Sequence, residues 1–172
     1  LYRPVRLIQV PAAHFDLLKT GTTGLFITPH VAGLVRVDAF PVNAEGCTVR
    51  VDLCDASGAV VATGTAPAEA HTVLKLQVAD PHLWNGRIDP YLYTAKATLL
   101  DGGDEMDEVT ATFGFRSFHV DSNQGFFLNG KSYPLHGVAR HQDRLDMGWA
   151  ITPKEHAEDI ALIQEVGANT IR

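Results

Sequence analysis

Short apolar runs with alternating polar residues dominate the chain from about residue 24 to residue 120. Residues 48–53 read Thr-Val-Arg-Val-Asp-Leu and alternate with a period of two, and residues 72–78 do so more loosely. Because successive side chains of a strand point to opposite faces, this period predicts strands with one buried face. Further strands are predicted at residues 59–62, 91–100 and 109–113. About seven strands in roughly 95 residues predict an immunoglobulin-like β-sandwich, within a mainly β fold.

Two polar segments rich in Asp and Gly supply turns for this predicted sandwich. Residues 55–58 and residues 101–104 have the composition of hairpin connections. Trp84 and Tyr93 lie beside turn residues, and we interpret them as core and turn residues. A platform on which a sugar ring stacks is the alternative for these two aromatic side chains.

The pattern changes after residue 120. Residues 126–128 and 131–135 flank Asn129-Gly130, which predicts a hairpin with a two-residue turn. A strand ending near Val138 follows, then a polar loop, a helix, and a strand over residues 168–172. Strand, helix and strand within about 38 residues form a βαβ unit, which implies a parallel sheet covered by helices.

The helix of this unit has a recognisable start. Thr152 is the predicted N-cap, Pro153 occupies the first helical position, and Glu155 completes a capping box. Ile160 and Ile163, together with Val166 near the end of the helix, predict its apolar face.

Composition and charge restrict the partners. The chain has 45% apolar residues, 20% charged residues and a formal net charge of -6. Without a cluster of Lys and Arg it is not expected to bind nucleic acid or an acidic membrane surface, since either needs a concentrated basic face. No apolar run approaches the ~18 residues of a membrane span. Residues 1–4 begin without Met and lack the layout of a signal peptide, so we expect the chain to be a piece of a longer protein.

The two cysteines, Cys47 and Cys54, lie in one strand-like run. At the rise of an extended strand they would be about 23 Å apart, too far for a disulfide. We expect two buried, reduced thiols and no zinc site, and the compartment stays open.

Candidate chemistry lies where the predicted parallel strands end. In a β/α barrel the reactive groups sit at the C-terminal ends of the strands. His141 follows the strand that ends near Val138, Arg172 ends the next strand, and Asp143 lies in the loop. Arg and neutral His together offer donors and an acceptor to a polyhydroxylated ligand. The alternative is that His141 is a solvated loop residue and that Arg172 pairs with a carboxylate.

The other polar residues of this region have structural interpretations. His136 is expected to be a core histidine with its hydrogen bonds satisfied. Glu155, Glu158 and Asp159 are expected on the helix surface, where negative charge near a helix N-terminus is favourable.

Three segments carry a family resemblance. Residues 125–131, 136–143 and 159–172 read GFFLNGK, HGVARHQD and DIALIQEVGANTIR. In this order they resemble the start of the catalytic barrel of family 2 glycoside hydrolases. Residues 2–5 resemble the exit from the N-terminal jelly-roll domain of that family, and residues 81–84, 90–93 and 113–116 resemble its immunoglobulin-like domain.

The resemblance implies three parts. Residues 1–20 would be an exit segment from a missing jelly-roll domain, and residues 21–120 the immunoglobulin-like sandwich. Residues 121–172 would be the first strands and helix of a truncated (β/α)8 barrel, so the missing jelly-roll domain and the rest of the barrel are expected partners.

Within the family, residues 140–143 and 148–150 look closest to bacterial β-galactosidases, which implies β-galactosides as ligands. The family mechanism is retaining hydrolysis by two Glu residues, and both are expected beyond Arg172, so no catalytic residue is assigned in this chain. His141, Arg172 and Asp143 are the expected substrate-binding residues. Magnesium is implied only for the full-length enzyme, and no cofactor or metal ligand is assigned here.

Several alternatives stay open. A β-glucuronidase or β-mannosidase of the same family is one, and a non-catalytic carbohydrate-binding or structural immunoglobulin-like module is another. A homo-oligomeric full-length enzyme, and a location in the bacterial cytoplasm or periplasm, are also left open.

Overall fold

A computed structural model describes residues 5–172. Its strands, in chain order, are β1 (His14–Phe15), β2 (Leu25–Pro29), β3 (Leu34–Ala39), β4 (Pro41–Val42), β5 (Thr48–Cys54), β6 (Val60–Pro67), β7 (Thr72–Gln77), β8 (Tyr93–Asp101), β9 (Asp104–Phe113), β10 (Phe118–Asp121), β11 (Gly125–Leu128), β12 (Lys131–Ser132), β13 (Gly137–Val138) and β14 (Thr170–Ile171). The helices are a short 3-10 helix (Lys19–Gly21) and α1 (Pro153–Glu165). The described residues divide into two compact units, residues 9–118 and residues 119–172, with residues 5–8 grouped with the second.

The first unit is a β-sandwich, as the alternating pattern predicts. A three-stranded sheet has the order β2-β3-β7, and a four-stranded sheet has the order β6-β5-β8-β9. The alternate residues Val49, Val51 and Leu53 of β5 are fully buried, and the residues between them are only half-buried. Burial of each such aliphatic side chain stabilises the fold by about 1.5 to 3 kcal/mol, so this face of β5 anchors the core.

Two strands run further than their apolar pattern predicts. The strand β6 continues to Pro67 because it pairs with the whole of β5, from Cys54 back to Thr48. The strand β9 begins at Asp104, where β8 turns back through Gly102 and Gly103. Both strands lie at the edges of their sheet, where polar side chains meet water, so hydrophobicity alone does not mark their full length.

The residues before the sandwich contribute to its core. Phe15, within the expected exit segment, is fully buried, and its amide donates to Oδ2 of Asp107 at 2.8 Å. Three of the four residues that resemble the exit from a jelly-roll domain, Tyr2 to Pro4, lie outside the described residues.

The two cysteines are reduced, as expected, but only one of them is buried. Both thiols are free, and Cys47 is buried just before β5. Cys54 is only half-buried, so its expected burial is wrong. It is the last residue of β5 and lies on the face opposite Val49, Val51 and Leu53.

The second unit contains the predicted hairpin and βαβ unit. The strands β11 and β12 pair with Leu128 opposite Lys131, and Asn129 and Gly130 between them have φ angles of +50° and +75°. These are the left-handed conformations of a two-residue hairpin turn. The strands β13 and β14 pair in parallel, with α1 between them in sequence.

The helix α1 starts as predicted, but its predicted apolar face is mostly exposed. The Thr152 side chain and Glu155 form the reciprocal capping box, with Pro153 in the first turn. Of the predicted face, only Ile163 is half-buried, while Ile160 and Val166 are exposed. The less exposed side of the helix includes Asp159 instead. Two short parallel strands offer a helix little apolar surface to cover.

Candidate functional site

The candidate site is formed where β13 and β14 end. Gly137 lies opposite Thr170, and Val138 lies opposite Ile171. Backbone pairing continues past the strands, because the amide of Arg172 donates to the carbonyl of Val138 (3.0 Å) and the amide of Arg140 donates to the carbonyl of Arg172 (3.0 Å). The ladder therefore places the residues just after β13 beside the end of β14.

The three residues predicted to bind substrate all belong to this region. His141 directly follows the paired residue Arg140, and Arg172 is itself part of the ladder. Asp143 lies two residues further along the same loop, and all three residues are exposed. The alternative interpretation is that Arg172 pairs with a carboxylate. Within residues 5–172 its guanidinium group forms no such ion pair. Their role as ligands of a sugar remains a prediction.

His136 is not the buried histidine that the sequence predicts. His136 is exposed, and the hydrogen bonds that connect it to Asn169 are made by its backbone. The amide of His136 donates to Oδ1 of Asn169 (2.8 Å), and its carbonyl accepts from the amide of Asn169 (2.9 Å). The side chain of Asn169 also donates to the carbonyl of Pro134 (2.8 Å). Asn169 therefore holds the residues just before β13 in place through hydrogen bonds of its amide side chain and its backbone.

A cluster of charged residues connects the loop after β13 to α1. Asp159 accepts at Oδ2 from Nε of Arg140 (2.9 Å) and at Oδ1 from Nη2 of Arg144 (2.6 Å). Arg140 also contacts Nδ1 of His156 (2.9 Å), and Arg144 donates to Oε2 of Glu158 (2.6 Å). Sequence reasoning missed this cluster and placed Asp159 on the solvated helix surface. The available signal was the spacing of Asp159 four residues before Ile163, on the same helix face.

Charge in the cluster favours the ionised forms. The pKa of Asp159 is lowered because its carboxylate accepts hydrogen bonds from Arg144 and Arg140. The pKa of Arg144 is raised by its hydrogen bonds to Glu158 and Asp159. Asp159 and Arg144 are therefore both ionised at neutral pH.

Of the two aromatic residues considered for sugar stacking, Tyr93 is buried and Trp84 is half-buried. Tyr93 is a core residue, as predicted, with its ring against Phe113 and Phe115. The guanidinium carbon of Arg116 lies 4.9 Å from the centre of the Trp84 ring. Because the Tyr93 ring is enclosed, it offers no exposed face for sugar stacking.

The described residues contain neither a cluster of metal-binding side chains nor a membrane-spanning helix. No group of three or more His, Cys, Asp and Glu side chains among residues 5–172 is placed to hold a metal ion. In the same residues, no helix has the length and apolar character needed to cross a membrane.

Comparison with known proteins gives relatives for the whole chain. A β-glucuronidase of Bacteroides fragilis is 50% identical over 99 residues, which are 58% of this chain and 14% of that protein. A β-galactosidase of Bacteroides ovatus is 36% identical over 135 residues, covering 74% of this chain and 16% of that protein. The crystal structure of an FMN-binding β-glucuronidase from Facaelibacterium prausnitzii L2-6 matches with a TM-score of 0.87 and 39% identity, covering 95% of this chain and 26% of that one.

The chain thus spans about a quarter or less of the length of these relatives. The family model "Glycosyl hydrolases family 2" matches residues 25–116, within the sandwich. The model "Glycosyl hydrolases family 2, TIM barrel domain" matches residues 119–172, which contain the βαβ unit. Since the two matches together cover most of the chain, it belongs to family 2 of the glycosyl hydrolases.

Proposed function

We propose that this chain supplies part of the substrate pocket of a retaining β-glycosidase, in which His141, Asp143 and Arg172 contact the sugar. The observation that carries the proposal is the backbone pairing that sets Arg140 and Arg172 side by side at the ends of two parallel strands. In β/α barrels this end of the strands carries the active site.

The three side chains suit a polyhydroxylated ligand. Arg172 offers a fixed fork of donors, His141 offers a donor and an acceptor when neutral, and the Asp143 carboxylate accepts from hydroxyl groups. Retaining hydrolysis also requires two carboxyl groups about 5 to 5.5 Å apart, one as acid/base and the other as nucleophile. In the proposal this Glu pair, like the magnesium ligands, belongs to parts of the full-length enzyme outside these residues.

The first candidate substrate is a terminal β-D-galactoside. It is supported by the resemblance of residues 140–143 and 148–150 to bacterial β-galactosidases, and by the similarity to the β-galactosidase of Bacteroides ovatus. A β-galactoside is neutral, so its recognition relies on hydrogen bonds from side chains such as His141 and Arg172.

The second candidate substrate is a β-glucuronide. It is favoured by the 50% identity to the β-glucuronidase of Bacteroides fragilis. A glucuronide carries a carboxylate, which requires a cationic or strongly donating partner. Arg172 has the chemistry of such a partner, and its exposed guanidinium forms no ion pair within residues 5–172.

Parallel assays of the full-length protein distinguish the two candidates. Hydrolysis of nitrophenyl β-galactoside and nitrophenyl β-glucuronide is measured under identical conditions, and NMR of the first product identifies its anomer. We expect the β-anomer from one of these substrates, and a kcat/KM lowered at least about tenfold by His141→Ala. Failure to hydrolyse either substrate, or an α-anomer as first product, would contradict the proposal. An unchanged kcat/KM in a folded His141→Ala variant would remove His141 from the pocket.

A further inference from the structure

Asp159 holds both ends of the loop segment that carries His141 and Asp143. Each of its two carboxylate oxygens accepts from a different arginine, Oδ2 from Arg140 and Oδ1 from Arg144. These arginines are the residues immediately before and after residues 141–143. One carboxylate on α1 is thus connected to the loop on both sides of the predicted sugar-binding segment.

Both arginines are also fixed through their backbones. The amide of Arg140 donates to the carbonyl of Arg172. The amide of Arg144 donates to the carbonyl of Gly148 (3.1 Å), and the amide of Gly148 donates back to the carbonyl of Arg144 (2.9 Å). Nη2 of Arg144 reaches the carbonyl of Glu155 as well (3.0 Å). The backbone contacts set where the segment begins and ends, and the Asp159 bridge connects those points to the helix.

The bridge is the less exposed part of the charged cluster. The side chains of Arg140 and Asp159 are 14% and 21% exposed, while that of Glu158 is 48% exposed. Exposed ion pairs contribute little because water and salt screen them, whereas partly buried pairs are screened less. The contacts of Asp159 are therefore expected to order the loop more than the Arg144–Glu158 pair does.

We propose that Asp159 is a positioning residue, which acts through Arg140 and Arg144 to hold His141 and Asp143 where they contact the sugar. This inference rests on the proposed function of the strand ends. Asp159 itself does not touch the sugar in this arrangement. Small displacements of binding groups lower catalytic efficiency steeply, so loss of the bridge affects turnover without removing a ligand.

The test compares two isosteric changes on the same helix in the full-length protein. Asp159→Asn removes the charge that bridges both arginines, and Glu158→Gln removes a charge that contacts only one of them, Arg144, together with the exposed Lys154 at 3.9 Å. We expect Asp159→Asn to lower kcat/KM for the accepted nitrophenyl glycoside about tenfold, and Glu158→Gln to lower it less than about twofold. Equal kcat/KM values for the two folded variants would overturn the inference.

A multiple variant separates positioning from general stability. Combined with His141→Ala and Asp143→Ala, Asp159→Asn should cost less than about threefold, because both groups that it positions are already absent. An undiminished tenfold loss in that background would mean that Asp159 acts independently of both groups, which contradicts the inference.

Hydrogen exchange measured by mass spectrometry gives a readout that needs no activity. Peptides covering residues 140–149 should exchange faster in Asp159→Asn than in wild type or Glu158→Gln, with exchange in β5 unchanged. Unchanged exchange in residues 140–149 would overturn the inference. If the wild-type protein hydrolyses neither substrate, the proposed function fails, while the exchange comparison still decides whether Asp159 holds the segment.

Discussion

Replacing Gly33 by Ala is expected to destabilise the sandwich by about 1.5 to 3.5 kcal/mol. Gly33 lies in the turn between β2 and β3 with a φ angle of +89°. A Cβ atom added there would overlap the carbonyl oxygen of Val78. That oxygen belongs to the backbone, so rotation of a side chain cannot relieve the contact.

The magnitude follows from two costs. A left-handed conformation costs a residue with a Cβ atom about 1 to 2 kcal/mol. Relief of the contact requires the turn to move away from the end of β7, which breaks the hydrogen bond from the amide of Val78 to the carbonyl of Gly33 (2.9 Å). Loss of such a bond costs about 0.5 to 1.5 kcal/mol net.

Gly58→Ala is the matched control. Gly58 has a nearly equal φ angle of +87°, and an added Cβ atom meets no atom of the described chain within 4 Å. The free energy of unfolding of Gly58→Ala should therefore fall only by the conformational cost of about 1 to 2 kcal/mol.

Urea unfolding of the 172-residue chain, followed by circular dichroism, measures the free energy of unfolding of both variants. We expect Gly33→Ala to be less stable than Gly58→Ala by at least about 0.5 kcal/mol. Equal stabilities would mean that the turn moves away from Val78 without losing this hydrogen bond, which would contradict the predicted difference.

Four further outcomes are expected. Arg172→Ala in the full-length enzyme should lower kcat/KM at least about tenfold with an unchanged melting temperature, and the reverse pattern would make Arg172 structural. The 172-residue chain alone should not hydrolyse nitrophenyl β-galactoside, because it supplies no assigned acid and nucleophile pair, and turnover abolished by Asp143→Asn would contradict this. Limited proteolysis should cut residues 119–172 before residues 9–118, since α1 has no buried residue, and first cuts within the sandwich would contradict this. The pKa of Asp38 is lowered to about 2, chiefly by the hydrogen bond from Arg36, so its stabilising contribution should be present above the ordinary pKa near 3.8 and lost as pH falls toward 2. Asp38→Asn should therefore reduce the acid dependence of the unfolding free energy, and an unchanged dependence would contradict this.

Local patterns in the sequence determined the elements whose stabilisation is itself local. The alternation of residues 48–53 predicts a strand with one buried face because a side-chain period of two admits no other arrangement against a core. The capping box of Thr152 and Glu155, and the Asn129-Gly130 turn, satisfy backbone requirements within a few residues. Their residue types alone are therefore sufficient to locate them. The predicted βαβ unit, together with the family resemblance, leads to a candidate site at the ends of β13 and β14, and the sugar contacts of His141, Asp143 and Arg172 remain predictions.

Features that depend on partners distant in the chain were decided by the tertiary structure. Asp159 and Arg140 are 19 residues apart, and only the return of α1 to the end of β13 brings them together. The exposure of His136 and the half-burial of Cys54 depend on what packs against each strand, which the local sequence does not specify. The edge strand β9 extends through polar residues because backbone pairing with β8 holds it, and that pairing is independent of side-chain hydrophobicity. In strands such as β5 the periodicity of the sequence indicates which face is buried, whereas the groups that meet across that face are fixed by the packing of the whole chain.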